Sequence, residues 1–205
     1  MAYDQVAGSD IVQKTIANFS PRNIEGMVVA TKEDALAKIK ELIPAGASVM
    51  NGASRTLEQI GFIDYLKTGQ HGWNNLHAAI NAEKDPAKQG ALRKQATLSD
   101  YYLGSVHAVA ETGELVIASN SGSQLPNIVF NSPNLIFVVG AQKITPTLEA
   151  AKARLQEYVI PLEDARMMEA MKVGTKLNKE LVFHGEATYT GRKVRVIFVN
   201  EKLGF

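Results

Sequence analysis

Cysteine occurs nowhere in the 205 residues. Its absence excludes disulfides, a thiol nucleophile and thiolate ligation of zinc or an iron–sulfur cluster by this chain. Any cluster that moves electrons in its pathway belongs on a partner polypeptide, and no cofactor is expected in the chain itself. An excess of charge is also lacking: 22 Lys and Arg face 21 Asp and Glu, for a net charge of +1. With no long run of one sign, there is no electrostatic case for nucleic acid or an anionic membrane as partner. No apolar run approaches the ~18 residues of a membrane span. The opening MAYDQVAGSD has neither the basic segment nor the apolar core of a secretory signal, so a cytoplasmic location is expected. Histidine is scarce, and His71 and His77, without a third histidine or paired carboxylates nearby, make no metal site. No metal is expected.

What is present suits one large domain over residues 1–205, with 45% hydrophobic residues to fill a core. Ile11, Thr15, Ile16 and Phe19 at helical spacing predict a leading helix within residues 1–23, packed on the domain or on a second copy in a homo-oligomer. Met27–Ala30 reads as a short strand. Thr31 with Asp34 then marks a capped helix whose Leu36, Ile39, Leu42 and Ile43 form one face, ended by Pro44. A strand at Ala47–Met50, the small-residue loop 51–55 and a helix marked by Thr56 and Gln59 repeat the scheme. Two strands joined through a helix form a right-handed parallel crossover, and ligands of such sheets bind beyond the carboxyl ends of the strands. Residues 67–97, which include the single Trp, interrupt this rhythm. They are a candidate lid or interface, or more plainly a solvated helix and loop.

The stretch 98–141 gathers the most signals. Val106–Ala110 and Leu115–Ser119 flank Glu111-Thr112-Gly113 as an antiparallel hairpin. Loop 119–124 follows, with side chains small enough to let backbone N–H groups meet an anion, and a helix expected near Ser123 would aim its positive end there. Leu135–Gly140 reads as a buried strand. A helix from Thr145-Pro146 carries Leu148, Ala151, Leu155 and Tyr158 on one face and is expected to stop at Val159-Ile160-Pro161. Residues 162–180 then read as a charged connection, and Leu181–His184 and Val194–Val199 as β-rich runs. The fold expected is a single α/β domain: a mostly parallel central sheet, helices on both faces, and an antiparallel hairpin or small second sheet. Loops 51–55 and 119–124 should share one sheet edge, each following a parallel-type strand, and Leu203 and Phe205 should pack.

The candidate substrate-binding residues are Asn51, Gly52, Ser54 and Arg55 in the first loop, Ser121, Gly122 and Ser123 in the second, and Lys143 after a buried strand. Neither loop has the Gly-Lys-Ser/Thr end of a P-loop or the G-x-G-x-x-G of a dinucleotide site. Arg55 could clamp a carboxylate or phosphate in bidentate fashion. Glu111 is a candidate general base if an apolar setting raises its pKa, and more plainly a hairpin carboxylate accepting from Thr112 or Gly113. His107 could exchange protons near pH 7, or serve as a hydrogen-bonded sheet histidine. Glu201 is a second candidate base, and with Lys202 it follows the last strand. Their plainer role, shared with Lys143, is to solvate strand ends. No G-x-S-x-G elbow supports a serine hydrolase.

The motifs AETG, LVIASNSGSQLP, VVGAQKI, VIPLEDAR and FVNEKLGF, in that order, resemble the lactate-utilisation (LUD) domain family, in particular its short single-domain members and the lactate utilisation protein C group. The resemblance implies a fold like that of the ribose-5-phosphate isomerase, glucosamine-6-phosphate deaminase and CoA-transferase group, whose phosphate- or acyl-binding loops the two small-residue loops resemble. It implies a protein that binds a small anionic metabolite, as the cluster-free component of a system oxidising L-lactate to pyruvate with iron–sulfur partner proteins. Two alternatives stay open: a stand-alone isomerase or transferase-like enzyme acting on a sugar phosphate or acyl thioester with Glu111 or Glu201 as base, and a non-catalytic metabolite sensor or scaffold.

Overall fold

The structure is a computed structural model and describes residues 3–205. Helix α1 (Ser9–Phe19) buries Val12, Thr15 and Phe19, and a turn through Pro21 leads into strand β1 (Ile24–Val29). The strand begins three residues before the expected Met27, because Gly26 interrupts the apolar pattern without interrupting the strand. A Cβ at Gly26 would stand 2.8 Å from the Phe19 ring, so the bare backbone is what lets α1 lie against β1. Helix α2 (Lys32–Leu42) starts in the expected capping box: Thr31 Oγ1 accepts from the Asp34 N–H at 3.2 Å and Asp34 Oδ2 accepts from the Thr31 N–H at 3.1 Å. Strand β2 (Ser48–Asn51) leads to α3 (Arg55–Gln59), capped by Ser54, and to α4 (Phe62–Lys67). The 67–97 segment holds β3 (Asn74–Asn75), α5 (Leu76–Ala82) and α6 (Pro86–Gln95).

After β4 (Tyr101–Gly104) come the hairpin strands β5 (Ala108–Ala110) and β6 (Leu115–Ser119), paired antiparallel as their sequence implies, with Gly113 taking the left-handed φ of +103° at the turn. Strand β7 (Asn134–Gly140) is buried along nearly its whole length. β8 (Ile144–Thr145), α7 (Leu148–Arg154), α8 (Ile160–Met171), β9 (Lys179–Phe183) and β10 (Lys193–Val199) complete the chain. The central sheet is parallel throughout, in the order β1-β10-β7-β4-β2-β3, and a second mixed sheet runs β8-β5-β6-β9.

Strand alternation assigns β7 to two cores. Ile136 and Val138 face α2, α3 and α4 with Ile39, Leu57 and Phe62, whereas Leu135, Phe137 and Val139 face α1 and the second sheet with Phe19, Leu115 and Ile117. Each such side chain contributes roughly 1.5–3 kcal/mol on burial. The outer face of the second sheet, through Ala108, Val116 and Ala118, packs on Ala151 of α7 and on Leu155, the residue after it.

Two local expectations are corrected. The helix beginning at Leu148 does not stop at Pro161: residues Leu155–Val159 form a π turn and α8 continues beyond it to Met171. A proline inside a regular α-helix collides with the carbonyl four residues before it, and the widened turn relieves that collision. Loop 119–124 follows β6, which is antiparallel to both of its neighbours and lies in the second sheet, so it does not follow a parallel-type strand. The helical segment after it starts at Leu125 and becomes a π turn over Asn127–Asn131, too short to act as the helix terminus expected near Ser123.

Candidate functional site

Between the carboxyl ends of β2 and β4, the end of β6 and the inner side of α8 lies a cavity of about 520 Å³. Loops 51–55 and 119–124 both reach it, from different sheets, and Gln124 Cβ lies 4.0 Å from the position a Cβ would take on Gly52. Gly52 cannot carry a side chain, because the Tyr102 hydroxyl occupies that space. Burial raises the Tyr102 phenol above its ordinary range and keeps it protonated.

Lys143 stands at the base of the cavity with 3% of its surface exposed. Its ammonium donates to Thr56 Oγ1 at 3.1 Å, Ser105 Oγ at 3.1 Å and the Val106 carbonyl at 3.2 Å. Those acceptors use all three of its hydrogens without supplying a counter-charge. Burial, and secondarily the Arg154 cation, push its pKa down to about 7. Arg154 is completely buried under α7, donating to the carbonyls of His107 and of Tyr3, the latter at 3.2 Å. Among the described residues its Nε has no partner; its guanidinium lies 5.2 Å from the centre of the Tyr158 ring, and burial pushes its pKa down to about 10. Among the described residues neither cation forms an ion pair.

His107 lines the same cavity, its Nδ1 accepting from the Ala118 N–H at 3.0 Å, which places the proton of the neutral ring on Nε2. Burial, then the Lys143 and Arg154 charges, push its pKa down to about 3. At neutral pH it is therefore a neutral hydrogen-bond donor, and Lys143 is the group that titrates near pH 7.

The C-terminal residues hold Lys143 in place. Gly140 ends β7 where a Cβ would come 2.7 Å from the Leu203 nitrogen and 2.9 Å from the Glu201 carbonyl, so the chain crosses there at close range. Gln142 fixes the crossing by donating to the Leu203 carbonyl at 2.8 Å and accepting from the Leu203 N–H at 3.2 Å. Leu203 is buried and Phe205 packs half-buried on the cavity wall, as expected for both.

A sequence model of the LUD domain matches residues 12–185. The chain belongs to the LUD-domain family. Among solved structures, a DUF162 family protein from Deinococcus radiodurans is similar at a TM-score of 0.53 and 14% identity, over 95% of this chain and 99% of that one, a likeness of fold. No protein of curated function matches. The family connects this LUD domain broadly with lactate utilisation.

Of the residues singled out in the sequence, the LUD domain brings Asn51, Gly52, Ser54, Arg55, His107, Ser121, Ser123 and Lys143 to one cavity. Arg55 is already paired with Glu58 on the first turn of α3. In loop 119–124 two of the N–H groups expected to meet an anion are engaged internally: that of Gly122 with Ser119 Oγ at 2.8 Å and that of Ser123 with Ser121 Oγ at 3.3 Å. The Ser119 hydroxyl donates to Gln124 Oε1 at 2.9 Å and that of Ser121 to Ser123 Oγ at 3.2 Å, so the Ser123 hydroxyl and, once turned from it, that of Ser121 are the side-chain donors this loop offers a ligand. Gly122 itself lies outside the lining, at φ +86° beneath the Lys179 side chain, and serves the turn. Glu111 and Glu201 also lie outside. Glu111 pairs with Lys14 at 2.8 Å at the far end of the hairpin, and Glu201 Oε1 accepts from the Lys32 N–H at 3.0 Å at the start of α2.

Sequence reasoning did not mark Tyr102, Gln124, Arg166 or His77 as site residues, although all four line the cavity. His77 arrives from the 67–97 segment and donates from Nε2 to the Asn51 carbonyl at 2.7 Å, a contact across 26 positions that no local pattern announces. Among side chains the lining includes the cations Arg55, Arg93, Lys143, Arg166 and Lys176 against the carboxylates Glu58 and Glu163, so its side chains carry an excess of positive charge. Glu58 is taken by Arg55 and Glu163 by Arg166, in a bidentate pair of 2.7 and 2.6 Å. Among the described residues no group of three or more His, Asp and Glu is placed to hold a metal, and no helix is long and apolar enough to cross a membrane.

Proposed function

We propose that this LUD-domain protein binds a small anionic metabolite in the cavity, with Lys143 as its principal charge partner and the Ser105, Ser121 and Ser123 hydroxyls and His107 Nε2–H as donors. The observation that carries this reading is the buried Lys143 ammonium, surrounded by neutral oxygens on the wall of a cation-rich cavity. A buried charge is costly without an opposite one, and an entering carboxylate would supply it. It would take the position of the Ser105 hydroxyl on Nζ, and that hydroxyl, which donates to the Val106 carbonyl at 3.3 Å, would turn its hydrogen to the anion. Within lactate utilisation the role is that of a cluster-free component of L-lactate oxidation to pyruvate, akin to the lactate utilisation protein C group, because a chain without cysteine leaves thiolate-bound clusters to partner proteins.

Calorimetric titration with L-lactate, pyruvate and inorganic phosphate tests the reading. At least one should bind, and Lys143→Met should weaken it roughly tenfold to a hundredfold, the loss of one charge-assisted hydrogen bond. Undiminished binding by a Lys143→Met protein with an unchanged melting curve would overturn it.

An enzyme of the isomerase type is the second reading, favoured by Lys143 titrating near neutrality next to a neutral histidine donor. Turnover of a sugar phosphate by the purified protein would select it.

A further inference from the structure

We propose that the cavity prefers an amphipathic monocarboxylate, with its charged head at Lys143 and an apolar tail along α8, to a bare three-carbon acid, which it binds more weakly. The inference rests on the anion-binding reading above and extends it to a substrate class. Size is its first support. A cavity of about 520 Å³ falls among those that enclose drug-sized ligands, ~300–1,000 Å³, and a lactate ion would fill a small part of it.

The second support is how the lining is divided. Lys143, Ser105 and His107 gather at the ends of β4 and β7, whereas Val159, Ile160, Met167 and Phe205 come from the π turn, α8 and residue 205 as apolar lining, with Ile117 and Ile128 also reaching the cavity; the two charged residues that α8 adds, Glu163 and Arg166, are paired with each other. Ile160 and Phe205 each pack against the cluster of Ala118 and Val159, so the wall is continuous with a core. Ile160, Met167 and Phe205 nevertheless remain half-buried. Helix α8 buries none of its twelve residues fully. A three-carbon acid at Lys143 would leave that wall wet, whereas an aliphatic or aromatic tail would remove apolar surface from water on both sides. The single deep ammonium matches a single carboxylate.

The test is calorimetry on the full chain with L-lactate, L-2-hydroxybutyrate, L-2-hydroxyhexanoate and L-2-hydroxyoctanoate, with inorganic phosphate alongside. The expected result is one-to-one binding that tightens about fourfold per added methylene, the equivalent of ~0.8 kcal/mol for each buried CH₂. Met167→Gln and Ile160→Asn, each checked by its melting curve, should flatten that slope. Equal affinity for lactate and the longer acids would overturn the inference and leave the anion reading standing, as would binding of phosphate with none of the acids. An unchanged slope in both folded variants would also overturn it, by taking the tail off this wall. Binding of no anion at all would overturn both.

Discussion

At the scale of the residue, the controlling feature is Lys143, a cation surrounded by hydroxyls and a carbonyl where a carboxylate would be the ordinary neighbour. Its pKa of about 7 gives anion binding a definite pH dependence. Below that value the ammonium is charged and attracts the anion. Above it each pH unit costs about tenfold in affinity, until the higher pKa that a bound anion imposes on the lysine is reached. Stability of the free protein should run the other way. Its folded pKa lies below the unfolded value near 10.4, so between the two the unfolded chain binds more protons and this group's contribution to stability grows as pH rises. Affinity and melting temperature measured over pH 6–9 should diverge, and affinity flat across that range would assign the charge to an arginine such as Arg93. Little of this was legible in the sequence. Lys143 stood out as a cation after a buried strand, but Arg154, which helps set its pKa, reads as an ordinary helix residue until α7 is seen to bury it completely. His107, the sequence's candidate for proton exchange at neutral pH, is held neutral by its burial and, after that, by those same two cations.

At the scale of the element, legibility follows how local the cause is. The Thr31–Asp34 capping box, the hairpin around Gly113 and the β7 run are set by neighbours in the chain and were all readable from it. The π turn at Leu155–Val159 was not, since Pro161 is an ordinary stop signal and only packing on the second sheet makes continuation favourable. The helix expected near Ser123 became a π turn for a similarly distant reason. Arg192, sixty-odd positions away, donates to the carbonyls of Asn127, Ile128 and Val129 at 3.2, 2.8 and 3.1 Å and fixes their geometry. The closing segment 201–205 belongs at this scale too. Leu203 fills a gap in the core beneath Gln142, and Leu203→Ala should cost roughly 2–5 kcal/mol in denaturant unfolding. A loss under ~1 kcal/mol would mean that the segment rests on the surface.

At the scale of the whole molecule, the parallel sheet followed from strands alternating with helices, and the second sheet was anticipated as a hairpin or small sheet, without its outer strands. Its extension by β8 and β9 depends on pairings between distant segments, such as Leu115 with Phe183, which periodicity cannot register. The consequence for function is that the cavity lies where two sheets meet. One small-residue loop follows β2 of the central sheet and the other follows β6 of the second, and Lys143 sits between β7 of the first and β8 of the second. The core of Phe137, Val139, Leu115 and Ile117 lies between the two sheets and ties the two loops into one frame. The most direct test of the anion site is a crystal structure of the protein with the tightest-binding anion from the titrations. An anion oxygen inside the cavity, ~2.7–3.2 Å from Lys143 Nζ or the Ser105 hydroxyl, is the predicted result. An anion bound only on the outer surface, with the cavity free of it at saturating concentration, would contradict it.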